Sequence, residues 1–439
     1  MKLRYIAIIL ILVLLAVLLP FGNKAAKVPA GYISKVACSE IFVAGRSSVD
    51  VMDTNFDNIS PAFDWVDIKI DTDNKTVKGS LFGFGKTAAI YREGAGCSLQ
   101  SRGGFEPVKL PSPSAPTHRY EQAINAQVQT KVMKLFDDSA LPNPVRTRGV
   151  VVIQDGRIIA EHYAEGFDKD TRQQSWSTAK GVVQALIGIA EKKNYLSLTD
   201  TALVPDWIGD DPRSEITIGH LLHMASGLEF SEDYANPISH VDQMLFNQPD
   251  MGAYAAQRQL VHTPGTVSKY SSGTTNILSN ILRRKVEAAG GNYHAFPYAE
   301  LFRKLSMSSA IFEVDAAGNF IGSSYIYATP RDFAKFGQLY LQGGIWQGEQ
   351  ILPGGWVNYT GQPAPGADEK YGSHWSLNIG QKVLPGLPED VIHLGGNDGQ
   401  MIIVIPSKKA VIVRMGVTRY PATLEDDVYP LIRQVYDSF

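Results

Sequence analysis

The sequence has little net charge, few cysteines and no basic run of the kind that binds nucleic acid. Its 439 residues include 41 Lys or Arg and 44 Asp or Glu, so the formal net charge is -3. No cluster of basic residues with interleaved aromatics occurs, which argues against nucleic-acid binding. His220 and His223 lie three residues apart, but there is no His-Glu-x-x-His motif. We therefore predict no metal site and no cofactor.

Only two cysteines are present, Cys38 and Cys97, and no Cys-x-x-Cys spacing exists. In an exported protein an even pair is more often a disulfide than two free thiols. We therefore predict a disulfide within the N-terminal region, and no redox or metal site at these residues.

The first residues are typical of a targeting segment. A basic lead over residues 1–4 precedes an apolar run over residues 5–20. No clean Ala-x-Ala site follows, and the run is near the lower length limit of a membrane span, so residues 1–22 are either a signal peptide or an N-terminal anchor. The basic N-terminus predicts that the remainder lies outside the cytoplasmic membrane, in the periplasm or another extracytoplasmic space, with residues 5–21 as the inner-membrane anchor if retained.

Residues 23–115 have the pattern of a small β-rich region. Residues 66–71 alternate apolar and polar side chains as a half-buried strand does, and residues 76–81 suit a second strand after a polar turn. Residues 109–117 are rich in Pro and Ser and are typical of a linker.

Residues 116–439 are long enough for one large domain with its own core. Strand-like segments at residues 149–154 and 157–163 flank Asp155-Gly156, a strong hairpin turn, and two more lie at residues 400–405 and 410–415. The segment between these pairs is mainly helical. We therefore predict an α+β or α/β fold: an antiparallel sheet flanked by helices, with an all-helical lobe inserted at about residues 196–320.

The most informative stretch is Ser177-Thr-Ala-Lys180, the only Ser-x-x-Lys in the chain. Residues three apart on a helix share a face, and the apolar residues 182–190 predict that this helix is buried. A lysine beside a serine in such a setting can act as its base. The alternative is a serine that caps the helix and a lysine on the surface.

Two downstream segments offer the other parts of an acyl-transfer site. Tyr270 lies on a predicted loop before a helix, where a phenol can relay a proton; the alternative is a packed aromatic ring. The Gly-rich turn at residues 393–400 precedes a strand, and a backbone N–H in this turn could form an oxyanion hole with that of Ser177; the alternative is an ordinary turn.

These segments together resemble the serine β-lactamase and penicillin-binding-protein superfamily over residues 140–420. Ser177-x-x-Lys180 matches the first motif of that superfamily. Tyr270-Ser271-Ser272 is similar to its Tyr-x-Asn motif, with Ser272 in place of Asn. His393-Leu394-Gly395 is similar to its Lys-Thr-Gly motif, with His393 in place of Lys. The resemblance is to the class C-like branch, which also holds esterases, D-amino-acid peptidases and 6-aminohexanoate-dimer hydrolases.

The resemblance implies an acyl-enzyme on Ser177, with Lys180 and Tyr270 passing protons and the N–H groups of Ser177 and Gly396 holding the oxyanion. It also implies substrate contacts by Ser272, His393, Gly395 and, from the loop tyrosine of the 6-aminohexanoate-dimer hydrolases, Tyr234. A mostly neutral His393 would bind a substrate carboxylate less firmly than a lysine does, which disfavours β-lactams.

We therefore expect an exported serine hydrolase of small esters or amides. The alternatives are a β-lactamase or D-Ala-type peptidase of cell-wall metabolism, and a membrane-tethered sensor that binds acyl groups without catalysis. The predicted partners are a small-molecule ester or amide and, through the N-terminal segment, the membrane.

Overall fold

The computed structural model describes residues 2–100, 118–201 and 203–439, with side chains described from Gly22 onward. The predicted linker at residues 109–117 and the side chains of the predicted targeting segment lie outside this description. Among the helices in the described part of the chain, none is both long and apolar enough to cross a membrane.

The N-terminal part combines a long helix with a small sheet. Its helices are α1 (Lys2–Phe42) and α2 (Ser48–Thr54), and its strands are β1 (Val66–Asp71), β2 (Thr76–Leu81), β3 (Phe84–Arg92) and β4 (Gly96–Leu99). The strands form one antiparallel sheet in sequence order, and α1 lies across it. Ile33, Val36 and Ala37 of α1 are buried because their helical spacing brings them to one face.

The predicted disulfide is confirmed: Cys38 of α1 is bonded to Cys97 of β4. Beside it, the ammonium of Lys35 donates to the Glu313 carboxylate at 2.5 Å, and both side chains are buried. The backbone N–H of Cys97 donates to the same carboxylate at 2.6 Å. Glu313 belongs to the main domain, so the Lys35–Glu313 ion pair and the Cys97 hydrogen bond attach the N-terminal part to it, while the disulfide joins α1 to β4 within that part.

The main domain is built on an antiparallel sheet, as predicted. This sheet has six strands, and two short sheets accompany it. Its strands are β5 (Thr147–Gln154), β6 (Arg157–Tyr163), β7 (Gln173–Gln174), β8 (Ile311–Phe312), β9 (Ile326–Ala328), β10 (Ile345–Trp346), β11 (Glu349–Gln350), β12 (Ser376–Leu377), β13 (Ile392–Gly396), β14 (Gln400–Ile405) and β15 (Ala410–Gly416). The large sheet has the order β12-β13-β14-β15-β5-β6, and the shorter sheets are β7-β9-β8 and β10-β11.

Helices cover both faces of the large sheet. They are α3 (Ala126–Met133), α4 (Ala179–Lys192), α5 (Ile218–Leu222), α6 (His240–Asn247), α7 (Met251–Ala256), α8 (Ser272–Ala288), α9 (Pro330–Leu341), α10 (Trp356–Thr360) and α11 (Tyr429–Tyr436). On β5, Val151 and Ile153 belong to the core that contains α4 and α9, whereas Val150 and Val152 belong to the core beneath α3 and α11. Side chains alternate along a strand, so a strand buried on both faces needs a continuous apolar run.

Candidate active site

Ser177 lies in a short 3₁₀ turn, Trp176–Thr178, that leads directly into α4. Trp176 has a φ of +44°, a left-handed conformation that is uncommon for a bulky residue. The turn is held in place by Ser175. Its N–H donates to the carbonyl of Ile326 at 2.8 Å, and its hydroxyl accepts from the N–H of Ile326 at 3.0 Å. The strained turn is therefore fixed to β9, and Ser177 is presented at the start of the helix.

Lys180 lies beside the candidate nucleophile, as the Ser-x-x-Lys spacing predicts. Its Nζ is 2.9 Å from Ser177 Oγ, and it also donates to Ser272 Oγ at 3.1 Å and to the Ser323 carbonyl at 3.0 Å. The side chain is 1% exposed, and its three hydrogen bonds all go to neutral oxygens. A buried lysine held against a serine hydroxyl is the arrangement that base-assisted nucleophilic attack requires.

Glu232, which was not predicted from the sequence, extends this network. Both the N–H of Ser272, at 3.0 Å, and the Ser272 hydroxyl donate to the Glu232 carboxylate. The Tyr234 hydroxyl donates to it as well, at 2.8 Å. A chain of hydrogen bonds therefore runs from Ser177 through Lys180 and Ser272 to a carboxylate. Glu232 lies two residues before the predicted Tyr234, and this local spacing was the only sequence signal for it.

Tyr234 stays protonated in this position. Although about half of its side chain is exposed, burial of the hydroxyl and then the Glu232 carboxylate raise the pKa of Tyr234 well above its usual range. A protonated phenol can only approach a carboxylate as a donor, which agrees with the bond to Glu232. Tyr234 therefore reaches the network with its hydroxyl and the open cleft with its ring.

Tyr270 approaches Lys180 with its ring. The Lys180 ammonium lies 4.8 Å from the ring centroid, and the ring also makes an edge contact with Tyr371. The structure therefore brings Tyr270, Lys180 and Ser177 together, while the role of the Tyr270 hydroxyl as a proton relay stays a prediction.

Gly396 ends strand β13 beside the nucleophile turn. A Cβ added at this position would lie 2.7 Å from the carbonyl oxygen of Ser175 and 3.1 Å from the backbone N of Ser177. Contacts this short leave room only for glycine. The backbones of residues 177 and 396 thus lie side by side, as a two-donor oxyanion hole requires.

His393 and Ser272 are buried rather than open to the cleft. His393 is 3% exposed in β13, and burial lowers its pKa to about 4, so it is neutral at pH 7. Ser272 is fully buried at the start of α8. Gly395 is exposed, and an added Cβ there would lie 3.7 Å from His393 Nε2. Contacts of these residues with substrate stay predictions.

A cleft of about 770 Å³ opens at Ser177. Trp176, Tyr234 and Asn397 also line it, and helix α1 closes it on one side. Among the cleft-lining residues that the structure describes, Arg419 is the one positively charged side chain. It is bound by both oxygens of Asp398, at 3.0 and 2.9 Å. The cleft therefore offers no unpaired cation to an anionic ligand.

Known proteins share this architecture. The 6-aminohexanoate-dimer hydrolase of Paenarthrobacter ureafaciens is 26% identical over 226 residues, which are 48% of this chain and 56% of that protein. The chain thus matches little more than half the length of this curated relative. A candidate 6-aminohexanoate-dimer hydrolase from Bacillus anthracis superposes with a TM-score of 0.59 at 20% identity, over 75% of this chain and 88% of its own.

A class C β-lactamase superposes with a TM-score of 0.56 at 16% identity, over 73% of this chain and 99% of its own. At these identities the structural likeness establishes the fold, which is the β-lactamase and transpeptidase-like fold that the motifs predicted. The Beta-lactamase family model matches residues 143–437, a stretch that holds Ser177, Lys180, Glu232, Tyr270 and Gly396. The chain therefore belongs to the Beta-lactamase family.

Proposed function

We propose that this protein is an exported serine hydrolase that cleaves small esters or amides through an acyl-enzyme on Ser177. The observation that carries the proposal is the 2.9 Å contact between Lys180 Nζ and Ser177 Oγ in a buried setting. The disulfide supports export, because such bonds persist in oxidising compartments.

Attack begins when a neutral Lys180 takes the proton of the Ser177 hydroxyl. Ser177 Oγ then bonds to the carbonyl carbon, and the carbonyl oxygen becomes an oxyanion beside the N–H groups of Ser177 and Gly396. The bond to the leaving alcohol or amine breaks as Lys180 and Tyr270 return a proton to it. Water attacks the acyl-enzyme by the same route, which releases the acid and restores the Ser177 hydroxyl.

Glu232 stabilises the charge that this sequence creates on Lys180. When Lys180 takes up the proton, its ammonium donates to Ser272, whose hydroxyl in turn donates to the Glu232 carboxylate. The opposite charges are then separated by one polarised hydroxyl in a site of low dielectric. The face of Tyr270 supports the same ammonium. Ser272 and Glu232 are therefore positioning residues for the base.

The charges around the cleft favour neutral substrates over β-lactams. A β-lactam antibiotic carries a carboxylate, but Arg419 is already paired with Asp398 and His393 is neutral and buried. We therefore rank neutral esters and amides first and a β-lactamase or D-Ala-type peptidase second.

A fluorophosphonate probe tests the nucleophile. Intact mass after labelling, followed by peptide mapping, should place one adduct on Ser177, and Ser177→Ala should abolish both the adduct and the turnover of p-nitrophenyl acetate. An adduct elsewhere, or turnover that survives Ser177→Ala, would sink the covalent mechanism. Nitrocefin assayed in parallel should be turned over more slowly than the ester, and the reverse order would overturn the substrate ranking.

A further inference from the structure

The N-terminal part builds one wall of the active-site cleft. This wall lies before residue 143, outside the stretch that the family model matches. Its apolar residues come from α1 and from the chain around the small sheet: Ala25, Ala26, Val28, Pro29, Ile59, Phe63 and Leu81. Trp176, Leu245 and Phe246 of the main domain also line the cleft. The pocket that begins at Ser177 therefore ends in an apolar surface, part of which comes from residues outside the stretch that the family model matches.

The charged groups in the cleft are largely occupied. Arg419 is bound to Asp398 and also donates to the carbonyls of Asn55 and Asp57, at 2.8 and 3.1 Å. The Tyr234 hydroxyl is bound to Glu232. Asp242 is nearly buried, and burial followed by the charges of Asp233 and Glu232 raises its pKa to about 7. A ligand that extends away from Ser177 thus meets mainly apolar side chains, the hydrogen-bonded Arg419 and Tyr234, and the Asp242 carboxyl, whose ionisation is opposed by burial.

We infer that this cleft binds a hydrocarbon chain attached to the scissile group, so that the preferred substrates of Ser177 are neutral esters or amides with a medium or long alkyl chain. The inference rests on the proposed function and narrows its substrate class. A cleft of about 770 Å³ lies within the range that encloses drug-sized ligands. Each buried methylene should raise kcat/KM roughly fourfold until the chain fills the cleft.

The test is a chain-length profile. We expect kcat/KM for p-nitrophenyl octanoate to exceed that for the butyrate and the acetate. If the chain site holds the alcohol side instead, kcat/KM for octyl acetate should exceed that for ethyl acetate. Ala25→Trp, which fills the cleft from α1, should lower the octanoate-to-acetate ratio at least tenfold. Val49→Trp, an exposed position on α2 outside the cleft, should leave the ratio unchanged.

Failure of this inference is distinguishable from failure of the proposed function. A flat chain-length profile, or one that Ala25→Trp does not alter, would overturn the chain site while leaving the hydrolase intact. Binding of decanamide to Ser177→Ala, measured by calorimetry, reports on the chain site without turnover. If decanamide binds and Ala25→Trp weakens its binding, the chain site is supported even when no ester is cleaved. If decanamide does not bind, the chain site is overturned.

A second feature stands apart from the cleft. Three large aromatic side chains are exposed together near the β2–β3 hairpin: Trp65 is 62% exposed, Phe82 66% and Phe84 52%. The rings of Trp65 and Phe82 lie 5.7 Å apart. An exposed cluster of this kind on a folded protein marks a contact surface. We name these three residues the aromatic tip.

The aromatic tip lies near the point in α1 where the apolar run of residues 5–20 ends. The N–H of Gly85, next to Phe84, donates to Asn23 Oδ1 at 2.9 Å, and the apolar run of residues 5–20 ends just before Asn23. Exposed Lys24, Lys78 and Lys86 lie on the same elements. Aromatic rings prefer the headgroup region of a bilayer, and lysines are attracted to anionic lipids.

We propose, independently of the hydrolase activity, that the aromatic tip contacts the surface of an anionic lipid bilayer. Trp65 makes the test specific, because the other five tryptophans are all buried. Full-length protein should show tryptophan quenching on phosphatidylglycerol vesicles with brominated acyl chains, less quenching on neutral phosphatidylcholine vesicles with brominated chains, and almost none in Trp65→Phe. Equal quenching in wild type and Trp65→Phe would overturn the proposal. So would equal quenching on neutral and anionic vesicles, because the lysines would then have no role.

Discussion

Ser272 directs both its backbone N–H and its hydroxyl to the Glu232 carboxylate while it accepts a hydrogen bond from Lys180. We expect Glu232→Gln to lower kcat/KM for p-nitrophenyl acetate roughly 10- to 100-fold, because a charge-assisted hydrogen bond contributes about 1.5–3 kcal/mol. Asp233→Asn changes the exposed carboxylate next to it and should have little effect. If both variants lose the same activity, Glu232 has no special part in positioning the base.

Tyr270→Phe separates two roles of one side chain. The variant keeps the ring over the Lys180 ammonium and removes the hydroxyl. If the hydroxyl relays a proton to the leaving group, kcat should fall by roughly 100-fold or more. Esters with poorer leaving groups should suffer most, because they depend most on protonation. Activity that is retained in Tyr270→Phe and lost in Tyr270→Ala would assign Tyr270 to the ring contact alone.

Gly396→Ala should impair the oxyanion hole without removing any side chain. The new Cβ would lie 2.7 Å from the Ser175 carbonyl oxygen, so the strand or the nucleophile turn has to shift. Loss of one oxyanion donor typically lowers kcat by about 10²–10³-fold. Gly395→Ala has space for its Cβ, so its loss in kcat should be at least roughly tenfold smaller. Equal losses would place the oxyanion donor elsewhere; circular dichroism checks that both variants fold.

The buried Asp242 carboxyl should destabilise the folded protein at neutral pH but not in acid. Its pKa is about 7 in the folded protein and 3.8 in the unfolded chain. Below pH 3.8 the carboxyl is protonated in both states and costs nothing. Between pH 3.8 and 7 the unfolded chain ionises while burial and the acidic neighbours keep the folded carboxyl protonated, so the folded state loses up to about 4 kcal/mol of stability by pH 7 and no more above it.

Asp242→Asn should therefore raise the melting temperature at pH 8 and lose this advantage at pH 4. Asp315 is the matched contrast. Burial raises its pKa to about 7 as well, but its carboxylate accepts N–H bonds from Met251, Ala317 and Asn319. Asp315→Asn should lower the melting temperature at pH 8, because it removes an acceptor that these groups need. A lower melting temperature in Asp242→Asn at pH 8 would contradict the assignment.

The main sheet and the Ser177 helix could be predicted because their signals are local. The apolar runs of β5, β14 and β15 and the three-residue spacing of Ser177 and Lys180 each fall within a few residues. Glu232 could not be found this way. Its partner Ser272 lies 40 residues further along the chain, and only the fold brings the two together.

Helix α1 was missed for a different reason. Pro20 and Pro29 lie inside its sequence, and proline normally ends a helix because it lacks an N–H and clashes with the preceding turn. In the folded chain, packing of α1 against the small sheet and the buried pair of Lys35 with Glu313 outweigh that local preference. The lowered pKa of His393 could not be predicted either, because its burial depends on the neighbouring strands.

The N-terminal part also reaches the nucleophile through one ring contact. Tyr32 of α1 stacks on Trp176, with centroids 5.8 Å apart, and Trp176 is the strained residue that presents Ser177. An enzyme trimmed to the residues it shares with its family would therefore lose a support of its own catalytic serine. Inhibitors chosen by analogy with its relatives would meet a serine whose position is set partly by a segment outside the stretch that the family model matches.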